Sequence, residues 1–220
     1  MRPHRRHTGR VADRMPSGAS ISPRPDSPAD RTAVVLAGGT GRRLGGVDKA
    51  TLSLGGTTVL GSLLDGLDAD MPVVVAGDEQ PTSRPVTFCR ENPPGGGPAA
   101  GLGAALPFVQ TPLTGVVAVD MPWAAPVLRS ALDLLEHHVE VDAVVPVDTS
   151  GHHQYLCTAW RTESLRRIVN ELGDLHGRAM REIVSSANIV ELALPDGDAR
   201  LHDIDTPEDL RRAREDIART

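Results

Sequence analysis

Aromatic residues are scarce: two tryptophans, two phenylalanines and one tyrosine in 220 residues. A core built without large rings must rely on Leu, Val, Ile and Ala, a mix that suits buried parallel strands. A net charge of −6, with arginines not interleaved with aromatics, argues against a nucleic-acid partner. Cysteine is nearly absent. Cys89 and Cys157 stand far apart without metal-ligand spacing, and they read as reduced thiols of a cytoplasmic protein, a disulfide being the lesser alternative. No apolar run approaches the roughly 18–20 residues that span a bilayer, so no membrane segment is expected. The eight histidines show no metal spacing: His137-His138 and His152-His153 are adjacent pairs rather than i, i+4 pairs on a helix, and no zinc site is read. No internal repeat is visible.

Hydrophobic residues make up 40% and charged residues 24% of the chain, as in an ordinary globular protein. The length is comfortable for one α/β domain, which the pattern places at residues 31–216. Residues 1–30 differ. They are rich in Arg, Pro and Ser, they lack the apolar stretch a secretory signal needs, and they read as a disordered basic extension.

Residues 32–37 are a short β-branched apolar run that ends in glycines, a buried strand entering a turn. Helical spacing covers 57–67, and further strands are expected at 71–76 and 86–90. Glu91 to Pro98 is a loop by composition, followed by a helix over 99–108. A strand at 113–119 closes on Asp120-Met121-Pro122, and a helix follows over 126–137. Strands at 142–147 and 154–160, helices at 164–171 and 177–185, and a strand at 189–194 complete the alternation. Thr206-Pro207-Glu208-Asp209 starts the last helix, with Thr206 as the cap. Such alternation means a mostly parallel sheet covered on both faces. Ligands of these sheets collect at the carboxyl ends of strands, where Gly38–Lys49, Glu91–Pro98 and Asp120 fall.

Five glycines lie within residues 38–46. Glycine allows close backbone approach, so successive N–H groups can converge on an anion, and Arg42, Arg43 and Lys49 add positive charge. The loop is not a P-loop, because Lys49 stands three residues past Gly46 and precedes Ala50. It is not the dinucleotide fingerprint either, because Leu44 occupies the third glycine position counted from Gly39 and Gly41. A phosphate cradle of another kind is expected. A carboxylate at the mouth of a buried strand, as at Asp120, is costly unless it is solvated or binds something.

The loop resembles the signature Leu-Ala-Gly-Gly-x-x-x-Arg-Met-Gly-Gly-x-Asp-Lys of the molybdenum cofactor guanylyltransferase (MobA) family. Leu36, Ala37, Gly38, Gly39, Arg43, Gly45, Gly46, Asp48 and Lys49 fall in place, with Leu44 where the family has Met. Gly96-Gly97-Pro98-Ala99-Ala100-Gly101 resembles the family's Gly-Pro-Leu-Ala-Gly segment. Asp120 resembles the Asp of its Asp-x-Pro motif, and Asp203-Ile204-Asp205-Thr206-Pro207-Glu208 its near-terminal motif. Asn92 stands where the family commonly has Asp, and Gln154, after His153, replaces a Pro.

The resemblance implies one Rossmann-like three-layer α/β/α domain with a mostly parallel, mixed sheet of the nucleotide-diphospho-sugar transferase type. It implies transfer of GMP from GTP to the phosphate of molybdopterin, with Mg²⁺ as cofactor. Lys49, Arg43 and Asp120 would be catalytic. Leu36, Ala37, Gly38, Gly39, Gly41, Lys49, Asn92, Gly97, Pro98 and Asp120 would bind nucleotide, Gly38 leaving room for guanine. Asp120 and Asp203 would hold the metal. His153 to Arg161, together with Arg178, would line an acceptor pocket. A monomer, in transient contact with molybdenum-cofactor insertion proteins, fits the same picture. A related transferase using CTP or a sugar phosphate, and a non-catalytic nucleotide-binding cofactor chaperone, stay open as alternatives.

Overall fold

The computed structural model describes residues 30–39, 46–195 and 197–218. Gly41, Arg43 and the N-terminal extension up to residue 29 lie outside them. In chain order the elements are β1 (Arg31–Leu36), β2 (Ser53–Leu54), β3 (Thr57–Thr58), α1 (Val59–Gly66), β4 (Val73–Ala76), β5 (Thr87–Cys89), α2 (Gly97–Ala105), β6 (Leu113–Ala118), α3 (Ala125–His137), β7 (Ala143–Val147), β8 (Cys157–Arg161), α4 (Thr162–Leu172), α5 (Met180–Ser185), β9 (Ile189–Ala193) and α6 (Pro207–Ala218).

The main sheet has the order β5-β4-β1-β6-β8-β7-β9. β5, β4, β1 and β6 run parallel, and so do β7 and β9. β8 lies antiparallel between β6 and β7, which makes the sheet mixed. Strands β1, β4, β6 and β7 are buried almost throughout, because helices cover both faces. Leu60, Leu63 and Leu64 of α1 and Leu128, Leu132 and Leu135 of α3 fill one face. Leu102 of α2, Leu165 and Ile168 of α4, and Ile183 of α5 fill the other, around the fully buried Trp160. The indole N–H donates to Thr158 Oγ1 at 2.8 Å, so the ring buries no orphan donor.

A small hairpin, β2 with β3, was not expected from the pattern. Its turn is Gly55-Gly56, with φ of +57° and +87°, the left-handed geometry of a two-residue hairpin. Cys89 on β5 and Cys157 on β8 are four strand steps apart, about 19 Å at the usual strand spacing. No disulfide joins them, and burial pushes the Cys157 thiol up to about 12. No helix among the described residues is long and apolar enough to cross a membrane.

β1 sits at the switch point. The chain leaves it toward β4 on one side and reaches β6 on the other, so a crevice opens at the carboxyl ends of these three strands. β6 depends on close packing with α3: a Cβ on Gly115 would stand 2.9 Å from Leu128 Cδ2. Gly115→Ala should therefore lower stability by about 1–3 kcal/mol by overpacking. Leu128→Ala alone should cost about 2–5 kcal/mol. Combined, the two should cost less than their sum, read as a urea-denaturation double-mutant cycle.

Candidate active site

A cavity of about 190 Å³ occupies the crevice. Leu36, Gly38 and Gly39 line it from the end of β1, Ala76 from β4, and Ala118, Val119 and Asp120 from β6. Gly97, Pro98 and Gly101 of α2, with Glu91, Lys49 and Leu156, complete the wall. Gly97 needs its glycine, since its φ is +84° at the helix entry. Gly38 and Gly39 do not have positive φ, and a methyl at Gly38 would meet nothing closer than 3.9 Å. Nothing among the described residues therefore demands glycine at 38 or 39, and their bareness leaves the cavity open.

Lys49 crosses the crevice mouth. Asp48 Oδ1 accepts the Ala50 N–H at 3.0 Å and so caps the short 3₁₀ turn Lys49–Thr51 that carries the lysine. Lys49 Nζ donates to Asp120 Oδ2 at 2.7 Å and also to Asp205 Oδ1. The lysine side chain is only 13% exposed. Burial works against its charge, but the hydrogen bonds and charges of Asp120 and Asp205 outweigh it and hold the pKa above the ordinary lysine value. Asp120 Oδ1, on the same carboxylate, is buried with no hydrogen-bond partner among the described residues. A bare buried carboxylate oxygen costs free energy unless a donor or cation meets it.

The last segment reaches this point by backbone pairing. Ile204 N–H donates to the Asp120 carbonyl at 2.9 Å, and the Ile204 side chain is buried. Asp203 and Asp205 flank that anchor. Asp209 Oδ2 accepts the Thr206 N–H at 2.8 Å and the Thr206 hydroxyl at 2.7 Å, so the capped start of α6 fixes Asp205. Asp203 is exposed and does not line the cavity. Burial of part of its carboxyl, then the nearby charges of Asp205 and Asp120, raise its pKa.

Seven of the expected residues therefore meet: Leu36, Gly38, Gly39, Lys49, Gly97, Pro98 and Asp120. Ala37 is buried behind the wall and donates its N–H to the Ala76 carbonyl at 2.8 Å. Asn92 is exposed and does not line the cavity, whereas its neighbour Glu91 does. Glu91 Oε1 accepts the Gly95 N–H at 3.0 Å, which fixes the carboxylate beside Gly38. Glu91, beside the expected Asn92, was not expected to bind nucleotide; Asp205 shares the near-terminal motif with Asp203, the expected metal ligand, and the motif offered either.

The arginines expected at an acceptor pocket serve the scaffold instead. Arg161 ends the antiparallel β8 in register with Leu113, at the far end of β6 from Asp120. Its guanidinium donates to the carbonyls of Val141, Leu135 and His138, closing the end of α3. Arg178 binds the carbonyls of Asp174 and Leu172 and the Glu182 carboxylate. His153 pairs with Glu191 at 2.9 Å.

Residues 33–190 match the model of the MobA-like NTP transferase domain. The chain belongs to the MobA-like NTP transferase family. A probable molybdenum cofactor guanylyltransferase of Natronomonas pharaonis is 31% identical over 203 residues, which cover 86% of this chain and 99% of that relative. The molybdopterin-guanine dinucleotide biosynthesis protein A of Archaeoglobus fulgidus superposes with a TM-score of 0.67 at 21% identity, over 86% of this chain and all of that one. A Mycobacterium tuberculosis protein solved as a complex with manganese gives a TM-score of 0.61 at 24% identity, over 86% of this chain and all of that one. These two likenesses establish the MobA-like fold.

The raised pKa of Asp203 fixes the sign of its contribution to stability. A carboxyl whose pKa is higher folded than unfolded opposes folding once pH exceeds the unfolded value, here 3.8. Asp203→Asn should therefore raise the thermal midpoint at neutral pH, and the gain should vanish as pH falls below that value. A gain that persists in acid would assign the effect to something other than charge.

Proposed function

We propose that this chain transfers GMP from GTP to the phosphate of molybdopterin, releasing pyrophosphate. The observation that carries the reading is the polarity of one cavity. At one end a fixed carboxylate, Glu91, stands beside the bare Gly38; at the other Lys49 and Asp120 gather charge. Guanine offers N1–H and an exocyclic amine as adjacent donors on one edge, which suits the Glu91 carboxylate. The relative's name, molybdenum cofactor guanylyltransferase, supports the same donor and acceptor.

In this reading an oxygen of the molybdopterin phosphate attacks the α-phosphorus of GTP. The bond from that phosphorus to the bridging oxygen breaks, and pyrophosphate leaves with the electron pair. The attacking phosphate is already anionic, so no general base is required. The chain's share is alignment and charge neutralisation. Gly38, Gly39 and Gly97 let the nucleotide lie against the backbone, and Lys49 meets the negative charge that collects on the leaving oxygens. Arg43, outside the described residues, would join it as the family resemblance implies.

The donor set fits a hard divalent cation such as Mg²⁺. Asp120 offers a buried, unpartnered oxygen, and Asp205 and Asp203 stand close by. No group of three His, Cys, Asp or Glu side chains among the described residues forms a metal site by itself. That suits an ion held by one or two carboxylates together with substrate phosphates. Bound there, the cation would neutralise phosphate charge. The manganese complex of the Mycobacterium tuberculosis protein supports a divalent ion in this fold.

Pyrophosphate release, measured with each nucleoside triphosphate with and without molybdopterin, tests the reading. GTP-selective, acceptor-dependent release is expected; release with any base, or release driven by a sugar phosphate, overturns it. Lys49→Ala and Asp120→Ala should each slow release by about 10²–10³, with circular dichroism unchanged. Glu91→Gln should lower kcat/KM for GTP by about ten-fold or more and narrow the preference for guanine, because an amide replaces one of the two accepting oxygens with a donor NH2.

A further inference from the structure

We propose that Lys49 is a resident counter-cation that holds the carboxylate site against free metal and surrenders it when the nucleoside triphosphate arrives. The inference rests on the nucleotidyl-transfer reading and adds an order of events to it. Its basis is a double placement of one ammonium group. Lys49 Nζ is bonded to both Asp120 and Asp205, yet the same side chain lines the cavity that would receive the triphosphate. One lysine cannot neutralise two carboxylates and a polyphosphate at once.

Charge balance decides when it moves. Without nucleotide, a divalent ion reaching Asp120 would displace a buried ammonium into a cavity with no phosphate to receive it. That exchange leaves the ammonium without its counter-charges in a partly desolvated cavity and is unfavourable. With the triphosphate in the cavity, the ammonium gains a partner of higher negative charge within the reach of its own side chain. Asp120 and Asp205 are then left for the metal, and the unpartnered Asp120 Oδ1 acquires a ligand. The capped turn beneath Lys49 holds its backbone in place, so side-chain torsions are enough for the move. Among the described residues, the charged groups acting on Lys49 are the acids Asp120 and Asp205, and the carboxyl of Asp203 feels the lysine charge in turn. Metal and nucleotide should therefore bind with positive coupling, and Lys49 should carry much of that coupling.

The test is Mn²⁺ binding to the full chain, read from the electron paramagnetic resonance of free Mn²⁺, alone and with a GTP analogue bearing an α,β-methylene bridge. In the unaltered protein Mn²⁺ alone should bind weakly and tighten on addition of the analogue. Lys49→Met should bind Mn²⁺ alone about ten-fold more tightly or better, and its ratio of affinities with and without analogue should shrink. Lys49→Gln, which keeps a polar tip, should behave alike and covers the case in which Lys49→Met fails to fold. Lys49→Met/Asp120→Asn should lose the gain. Folded Lys49 variants that bind Mn²⁺ no better than the unaltered protein would overturn the exchange. Analogue binding is followed separately by calorimetry. If the analogue binds while the Lys49 variants show no gain, only the exchange fails; if it does not bind at all, the nucleotidyl-transfer reading fails with it.

Discussion

One ammonium group between two carboxylates ties the site together. Lys49, Asp120 and Asp205 belong to the turn after the glycine loop, the end of β6 and the approach to α6. Those segments are 71 and 156 residues from the lysine along the chain. Charges this poorly solvated persist only when paired. Each segment must therefore arrive in register for the others to be tolerated. The supporting contacts serve that demand: Asp48 caps the lysine's turn, the Asp120 carbonyl anchors Ile204, and Asp209 with Thr206 sets the start of α6.

The rest of the cavity is defined by missing side chains as much as by present ones. Gly38 and Gly39 leave room that the packing does not require. α2 brings two glycines and a proline to the wall, so backbone and small apolar surface line most of the space. Polar recognition is concentrated at two places, Glu91 and the lysine cluster. A ligand with one apolar-faced, hydrogen-bonding end and one highly charged end matches that distribution.

The architecture was legible in the sequence because its strands are buried on both faces. Runs such as Val34-Val35-Leu36 and Val73-Val74-Val75 stand out when nothing polar interrupts them. Lys49, Asp120 and the 97–98 turn were legible for a different reason: glycine clusters and strand-end acids have few other uses. Side-chain direction was not. Nothing local distinguishes Glu91 from Asn92, or Asp205 from Asp203; burial of Ile204 and the turn through Gly95 decide those. Arg161 misled because an arginine near a family-like motif reads the same whether it meets a phosphate or three carbonyls. Only the antiparallel course of β8 sends it to the opposite end of the sheet. The β2–β3 hairpin left a signal, Gly55-Gly56 between Leu54 and Thr57, but its strands are too short to show a period.

The antiparallel insertion of β8 also bears on how the protein is made. The walls of the cavity are encoded by residue 156, and with Leu113–Ala118 paired to β1 the crevice has its shape. The second partner of Lys49 comes only at residue 205, after β9 and the return past Asp120. The residues that line the crevice are thus synthesised some fifty residues before the second carboxylate that Lys49 meets. The charge arrangement is completed only as the C-terminal helix emerges.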